Sequence, residues 1–203
     1  MFKQEGIIYR FFDLLANLTI LNICFIIGSL PIITIGTSLS AMYSVAFKLV
    51  DDNSPKIISE FIKSYKNNFK QSTLIWVGCL IFGFGMLFNI FLFYGSDTIL
   101  FQIYRVAMVV LLILLLCFII YVFAIVSKYE NNLNNLFKVT LYLIFTNFFK
   151  TVVMICVVFL AFFISFINPF IYAWAIFVYI TFGFSLICYT LANILNGVFK
   201  SLE

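Results

Sequence analysis

The chain has 203 residues, 65% of them hydrophobic and 10% charged, with a formal net charge of +4 and a mean hydropathy of +1.16. A soluble domain holds about 45–50% apolar and about 25% charged residues, so this composition excludes an ordinary soluble globular protein and requires an integral membrane one. Histidine is absent, Asp13 is the only carboxylate bordering an apolar run, and no Gly-rich phosphate loop occurs; the sequence therefore argues against an enzyme and predicts no cofactor, metal or nucleic-acid site.

A single membrane domain over residues 1–203 is expected. Residues 1–13 interleave Lys3, Glu5, Arg10 and Asp13 with Phe2, Ile7, Ile8, Tyr9, Phe11 and Phe12, the pattern of an interfacial lead-in. No small-x-small cleavage site follows, so no removed signal peptide is expected. The first spanning helix is predicted over residues 14–29 and carries Asn17 and Asn22, amides that need partners in hydrocarbon. The uncharged stretch Ser29-Leu30-Pro31-Ile32-Ile33-Thr34-Ile35-Gly36 reads as the tight turn of a membrane hairpin, with Pro31 opening a second helix over residues 31–50. On that helix Thr37, Ser40, Ala41 and Ser44 form a face of little bulk, which suits either close helix packing or a hydroxyl-lined solute path.

Residues 48–70 are the largest polar insertion. Ser54-Pro55 gives an N-cap followed by proline, and apolar residues recur at Ile57, Ile58, Phe61, Ile62, Tyr65 and Phe69, predicting an amphipathic surface helix over residues 55–71. Its polar face holds Glu60, Lys63, Lys66, Asn67 and Lys70. Lys63, Lys66 and Lys70 are candidates for a surface that meets anionic lipid, at about 1 kcal/mol each near the membrane, or a partner. A third helix over residues 73–94 places Gly78, Gly85 and Asn89 on one face, which should contact protein. Beyond Gly95-Ser96-Asp97-Thr98 come a fourth helix over residues 104–127, a second amphipathic helix over 134–149 and a fifth spanning helix over 151–167. The Asn168-Pro169 turn opens a sixth over 170–193.

Five residue pairs repeat at an offset of eighty: Lys48 with Lys128, Asn67 with Asn147, Phe69 with Phe149, Lys70 with Lys150 and Phe82 with Phe162. A parallel internal repeat accounts for them, and so does bias toward Phe and Lys. With six crossings, eleven basic residues from Lys3 to Lys200 fall on one side and Arg105 alone on the other. By the positive-inside rule that puts both termini and both amphipathic helices in the cytoplasm, whereas five crossings split the basic residues between the two sides. Cys24, Cys79, Cys117, Cys156 and Cys188 lie in separate apolar runs with no C-x-x-C spacing, as expected of free cysteines buried as small hydrophobes. The fold class is all-α: a polytopic membrane helix bundle of about six transmembrane helices with two cytoplasmic amphipathic helices.

The residues Leu21-Asn22, Ser29-Leu30-Pro31-Ile32, Thr34-Ile35-Gly36, Ala41, Tyr43 and the run from Phe61 to Thr73 resemble the YesL-like family of bacterial membrane proteins. That resemblance covers the first half of the chain, and the family's usual length matches the whole. It implies an accessory role in sugar utilisation beside ABC-type sugar importer components. Where family members often carry tryptophan and cysteine before the Ser-Leu-Pro turn, this chain has Phe25 and Gly28.

Two functions follow as expectations. One is a non-catalytic membrane protein that docks a partner linked to carbohydrate uptake. The other is a stand-alone transporter for a small neutral or hydroxylated solute, with Asn22, Asn89 and Ser44 as its intramembrane polar site. For Asn22 the structural alternative is a packing bond to a hydroxyl such as Ser44 or to a neighbouring amide.

Overall fold

In the computed structural model, α2 (Ile35–Val50) forms the hub of the bundle, and its sequence explains why. The narrow stripe of Thr37, Ser40 and Ala41 is fully buried and lets α3 (Ile57–Leu92) approach closely. Thr37 Oγ1 lies 2.9 Å from Thr73 Oγ1, and Ser72 Oγ donates to Ser40 Oγ at 3.0 Å. The hydroxyls of this stripe from Thr37 to Ser40 are thus spent on the α2–α3 contact, which favours packing over a solute path.

The structure describes residues 6–51, 55–93, 95, 98–129 and 132–200. Around α2 lie α1 (Ile7–Gly28), α4 (Ile99–Lys128), α5 (Leu133–Thr146), α6 (Phe148–Ser165), α7 (Pro169–Val178) and α8 (Phe184–Phe199). A 3₁₀ turn (Ile32–Thr34) leads into α2, and a π-helical turn (Tyr179–Gly183) joins α7 to α8. No strand occurs among the described residues. Six helical segments are long and apolar enough to cross a membrane: Ile8–Gly28, Ile32–Val50, Ile57–Leu92, Ile99–Lys128, Phe148–Ser165 and Pro169–Phe199. The chain is an all-α polytopic helix bundle.

Several boundaries differ from the sequence reading. The expected lead-in is helical from Ile7, so the first helix is not confined to residues 14–29. Pro31 is extended (φ −77°, ψ 121°) and precedes the 3₁₀ turn instead of opening an α-helix, because Thr34 Oγ1 bonds the carbonyls of Gly28 and Pro31 at 2.8 Å and closes a tight corner. Pro55 likewise stands two residues ahead of α3, and its expected cap Ser54 lies outside the described residues, as do Lys3, Glu5, Tyr94, Ser96, Asp97 and Glu203. The amphipathic helix over 55–71 and the spanning helix over 73–94 are one continuous helix, since no residue between Lys70 and Leu74 breaks the ladder. α4 starts at Ile99, five residues before the predicted 104, and α6 at Phe148 rather than 151. In the second half the corresponding junction does break at Asn147 (φ −110°, ψ 44°), leaving α5 and α6 separate. The sixth helix runs beyond residue 193 to Phe199 through the π turn. Asn168-Pro169 behaves as read: Asn168 caps Phe170 N at 3.0 Å with proline in the first turn.

The lysine-bearing half of α3 packs along α2, and the other half leaves the core. Lys48 pairs with Glu60, Ser40 with Ser72, and Gly36 sits against Trp76, an antiparallel register. Trp76 Nε1 also donates to Ile32 O at 2.8 Å, so the α1–α2 turn meets α3 at that level. From there α3 continues sixteen residues to Leu92, about 24 Å at 1.5 Å per residue. Its end pairs with the start of α4 through Phe93 stacked on Phe101 and Tyr104 bonded to Asn89. The buried end of α4, from Cys117 to Val126, returns to the hub, where Tyr121 Oη meets Thr151 Oγ1 of α6 at 2.9 Å.

Two further expectations are corrected. A β-carbon on Gly78 or Gly85 would meet nothing within 4 Å, so the glycine face of α3 is not a close helix contact; only its Asn89 reaches a neighbouring helix, through Tyr104. The five cysteines are free, but Cys156 is exposed on the apolar surface and Cys24 is half-buried, leaving Cys79, Cys117 and Cys188 as core residues.

Candidate functional site

Asn22 is fully buried, and its environment was not legible in the sequence. Its Nδ2 donates to Tyr179 O and Ile180 O, each at 2.9 Å, and its Oδ1 accepts from Ser185 N at 3.1 Å. Ile180 and Ser185 are five apart, the spacing of a π-helical bond, and the amide of Asn22 is inserted between that carbonyl and that N–H. One side-chain amide therefore stands in for a peptide unit. Ser185 Oγ returns the contact by donating to Leu18 O at 2.7 Å. Gly183 permits the turn, since a β-carbon there would lie 2.8 Å from Tyr179 Cδ1 and 3.0 Å from Val178 O. Tyr179 Oη in turn donates to Ala161 O at 2.8 Å, so the π turn ties α1 to α6.

The three residues expected to frame an intramembrane polar site are not brought together. Asn89 donates to Gly85 O at 2.8 Å within its own helix and accepts from Tyr104 Oη at 3.0 Å. Its partners lie on α3 and α4, those of Asn22 on the π turn and α8. Ser44 does not bond Asn22; it lines a different feature.

That feature is a polar cleft of about 210 Å³ where the ends of α2 and α4 meet the start of α3. Ser44 and Lys48 come from α2, Glu60, Lys63 and Asn67 from α3, and Lys128 from α4. Lys48 Nζ lies 2.6 Å from Glu60 Oε2. Glu60 stands in the charged first turn of α3, ahead of its apolar stretch, and the Lys48 ammonium holds its carboxyl below the usual value of 4.5. The pairing is thus intact at neutral pH and lost as pH falls through that lowered value. Lys128 Nζ sits 5.2 Å from the centre of the Phe199 ring, which holds the end of α4 against α8. Lys66 and Lys70 are exposed outside the cleft, so of the three lysines expected to act together only Lys63 lines it.

Sequence reasoning missed Lys48, Glu60 and Lys128 as partners, although a signal existed. Lys48 and Lys128 are the first pair of the offset-of-eighty repeat, and the fold carries both to one cleft. For Tyr179, Gly183 and Ser185 the available signal was a Gly and a Ser two residues apart inside an apolar span, where helix irregularities concentrate.

Fold and surface together define a multipass membrane helix bundle with a basic cleft at one end. Residues 15–90 match DUF624, described as a protein family of unknown function. The match covers α1 from residue 15 onward, α2 and most of α3, hence Asn22, Lys48, Glu60 and Lys63, and stops short of Lys128 and the π turn. No curated protein and no solved structure matches the chain.

Proposed function

We propose that this protein is a non-catalytic, multipass component of the cell membrane that binds a partner, linked to carbohydrate uptake or utilisation, with both termini cytoplasmic. The observation that carries the partner reading is the fate of the intramembrane amides. Asn22 is consumed by backbone groups, and Asn89 by backbone and Tyr104, which leaves no convergent polar pair for the alternative, a transporter of a small neutral solute. Polar capacity is instead concentrated at the lysine-bearing end, where Lys63, Lys66 and Lys70 offer a surface to anionic lipid or to a protein. The carbohydrate link, and ABC-type sugar importer components as the partner, rest on the resemblance of the first half to the YesL-like family.

Purification in mild detergent with quantification of bound proteins tests this reading. A stoichiometric importer subunit is the expected result. A monodisperse protein that binds none, and whose thermal stability rises with one sugar, would replace it with transport.

The basic-residue count supports the cytoplasmic assignment of the lysine end. We infer that the first turn is shallow: it meets α3 at Trp76, sixteen residues short of the end of that helix, and its exposed Leu30, Pro31, Ile32 and Ile33 are apolar, which supports a hairpin that turns inside the bilayer. A hairpin that returns to its own side leaves the charge count unchanged, so counting lysines could not distinguish the two. Single cysteines at Lys63, Thr98 and Leu30 in a cysteine-free background should respond differently to an impermeant thiol reagent on intact cells. Position 98 should label, position 63 should label only after lysis, and position 30 should resist in both conditions. Labelling at 30 from outside would show a full crossing.

A further inference from the structure

We propose that an apolar groove between α3, α4 and α5 holds one acyl chain of an anionic phospholipid, with the headgroup at Lys70 and Lys138. The inference does not depend on partner docking, because it concerns the purified protein and its lipid alone. The groove has a volume of about 360 Å³. Ile75, Cys79 and Phe118 are buried and form its floor, while Leu74, Phe82 and Phe137 are exposed and form its rims. Gly78 also lines it, and a β-carbon there would meet nothing within 4 Å, so the missing side chain leaves the groove open at that level. Phe137 stacks on Phe118 with ring centres 5.1 Å apart, which holds α5 as the far wall. Beyond Phe82 the groove closes, since a β-carbon on Gly83 would lie 3.5 Å from Leu115 Cδ2 of α4.

Size, length and charge together select the occupant. A helix about 10 Å across fills roughly 400 Å³ in each turn of about 5.4 Å, so the groove is too small for a helix of a partner or of a second copy. A single file of carbons fits it. From Leu74 to Phe82 the groove spans eight residues, about 12 Å at 1.5 Å per residue, close to the roughly 15 Å of hydrocarbon in one leaflet. Its two ends differ in charge. Lys70 lies one helical turn before Leu74 on the same face of α3, whereas α3 carries no charged residue from Phe82 to Leu92. Lys138 follows Phe137 on α5. Both lysines are exposed, and among the described residues neither has an ion pair or a hydrogen bond. A chain seated in the groove brings its phosphate to the Lys70 end, where the flexible stems of both lysines can carry their ammonium groups to it. An anionic headgroup answers that charge, and a zwitterionic one does not.

Photolabelling of the full-length protein in nanodiscs tests this. The discs contain phosphatidylcholine and a small fraction of phosphatidylglycerol that carries a diazirine in its acyl chain, and adducts are mapped by peptide mass spectrometry. Adducts are expected to concentrate on residues 74–82 and 133–141, in excess of those on the exposed apolar face of α7. Gly78→Leu fills the groove and should abolish the excess, while Gly85→Leu places the same side chain in open space outside the groove and should preserve it. As competitors, unlabelled phosphatidylglycerol should be about tenfold more effective than phosphatidylcholine, and Lys70→Gln should lower that preference about fivefold. The competition on the native chain needs no variant to fold. Adducts spread evenly over the exposed helices, an excess that Gly78→Leu keeps or that Gly85→Leu loses equally, or equal competition by the two lipids overturns the proposal.

Discussion

Asn22→Leu is expected to lower stability in detergent by about 2 to 3 kcal/mol, the largest effect of any single polar substitution in the bundle. Intramembrane side-chain hydrogen bonds average about 0.6 kcal/mol, and Asn22 makes three of them. Leucine has nearly the same shape, so little cavity or overpacking is added and the loss reports the bonds. The substitution also strands Ser185 N and two carbonyls in a turn whose ladder is already interrupted, which adds to the average figure. Asn89→Leu is the comparison. Its amide makes one bond to its own helix and one to Tyr104, so about 1 kcal/mol is expected. Thermal unfolding of both variants, with their yields from membranes, checks the ordering. Equal stability of Asn22→Leu and the native chain would remove the bridging role assigned to Asn22.

How far this was legible depends on whether the deciding contact is local. The need of Asn22 for a partner is local, because hydrocarbon offers none, and the sequence showed it. The identity of that partner is not: Tyr179 and Ser185 lie some 160 residues away, on a segment whose π turn Asn22 bridges. The same division explains the helices. Apolar length marks six candidate spans from composition alone, and the structure contains them. Whether an amphipathic helix continues into the next span turns on one junction. Gln71-Ser72-Thr73 stays helical because Ser72 and Thr73 are held by Ser40 and Thr37 of α2, while the second copy breaks at Asn147. Three lysines spaced three or four apart suggested one surface, yet packing turned only Lys63 toward Lys48 and Lys128.

A continuous α3 also changes what its lysines can do. An amphipathic helix that lay separately on the membrane could detach when its charges are removed. As the first half of a 36-residue helix, this segment is anchored by the apolar half and by α2. Its lysines therefore tune the surface more than they hold the helix in place.

Gly36→Ala is expected to be the most damaging small substitution in the chain, costing about 3 kcal/mol or preventing folding. The added methyl would lie 2.5 Å from Trp76 Cβ and 2.8 Å from Phe123 Cζ. Phe123 can swing its ring end, but Trp76 Cβ is fixed to the backbone of α3, so relief requires α2 and α3 to separate. Overpacking of a close contact costs about 1–3 kcal/mol where neighbours can adjust, and here one of them cannot. Separation would also stretch the Thr37–Thr73 and Ser40–Ser72 contacts one turn away and the Trp76 bond to Ile32 O. Helix propensity acts in the opposite direction, since alanine is better than glycine by about 1 kcal/mol in a helix interior. That term can be isolated at Gly78 and Gly85, where an added methyl meets nothing within 4 Å. Gly78→Ala and Gly85→Ala should match or slightly exceed the native thermal stability, while Gly36→Ala falls well below it. Three variants with indistinguishable melting temperatures would mean that α2 and α3 do not meet at Gly36 as closely as their packing shows.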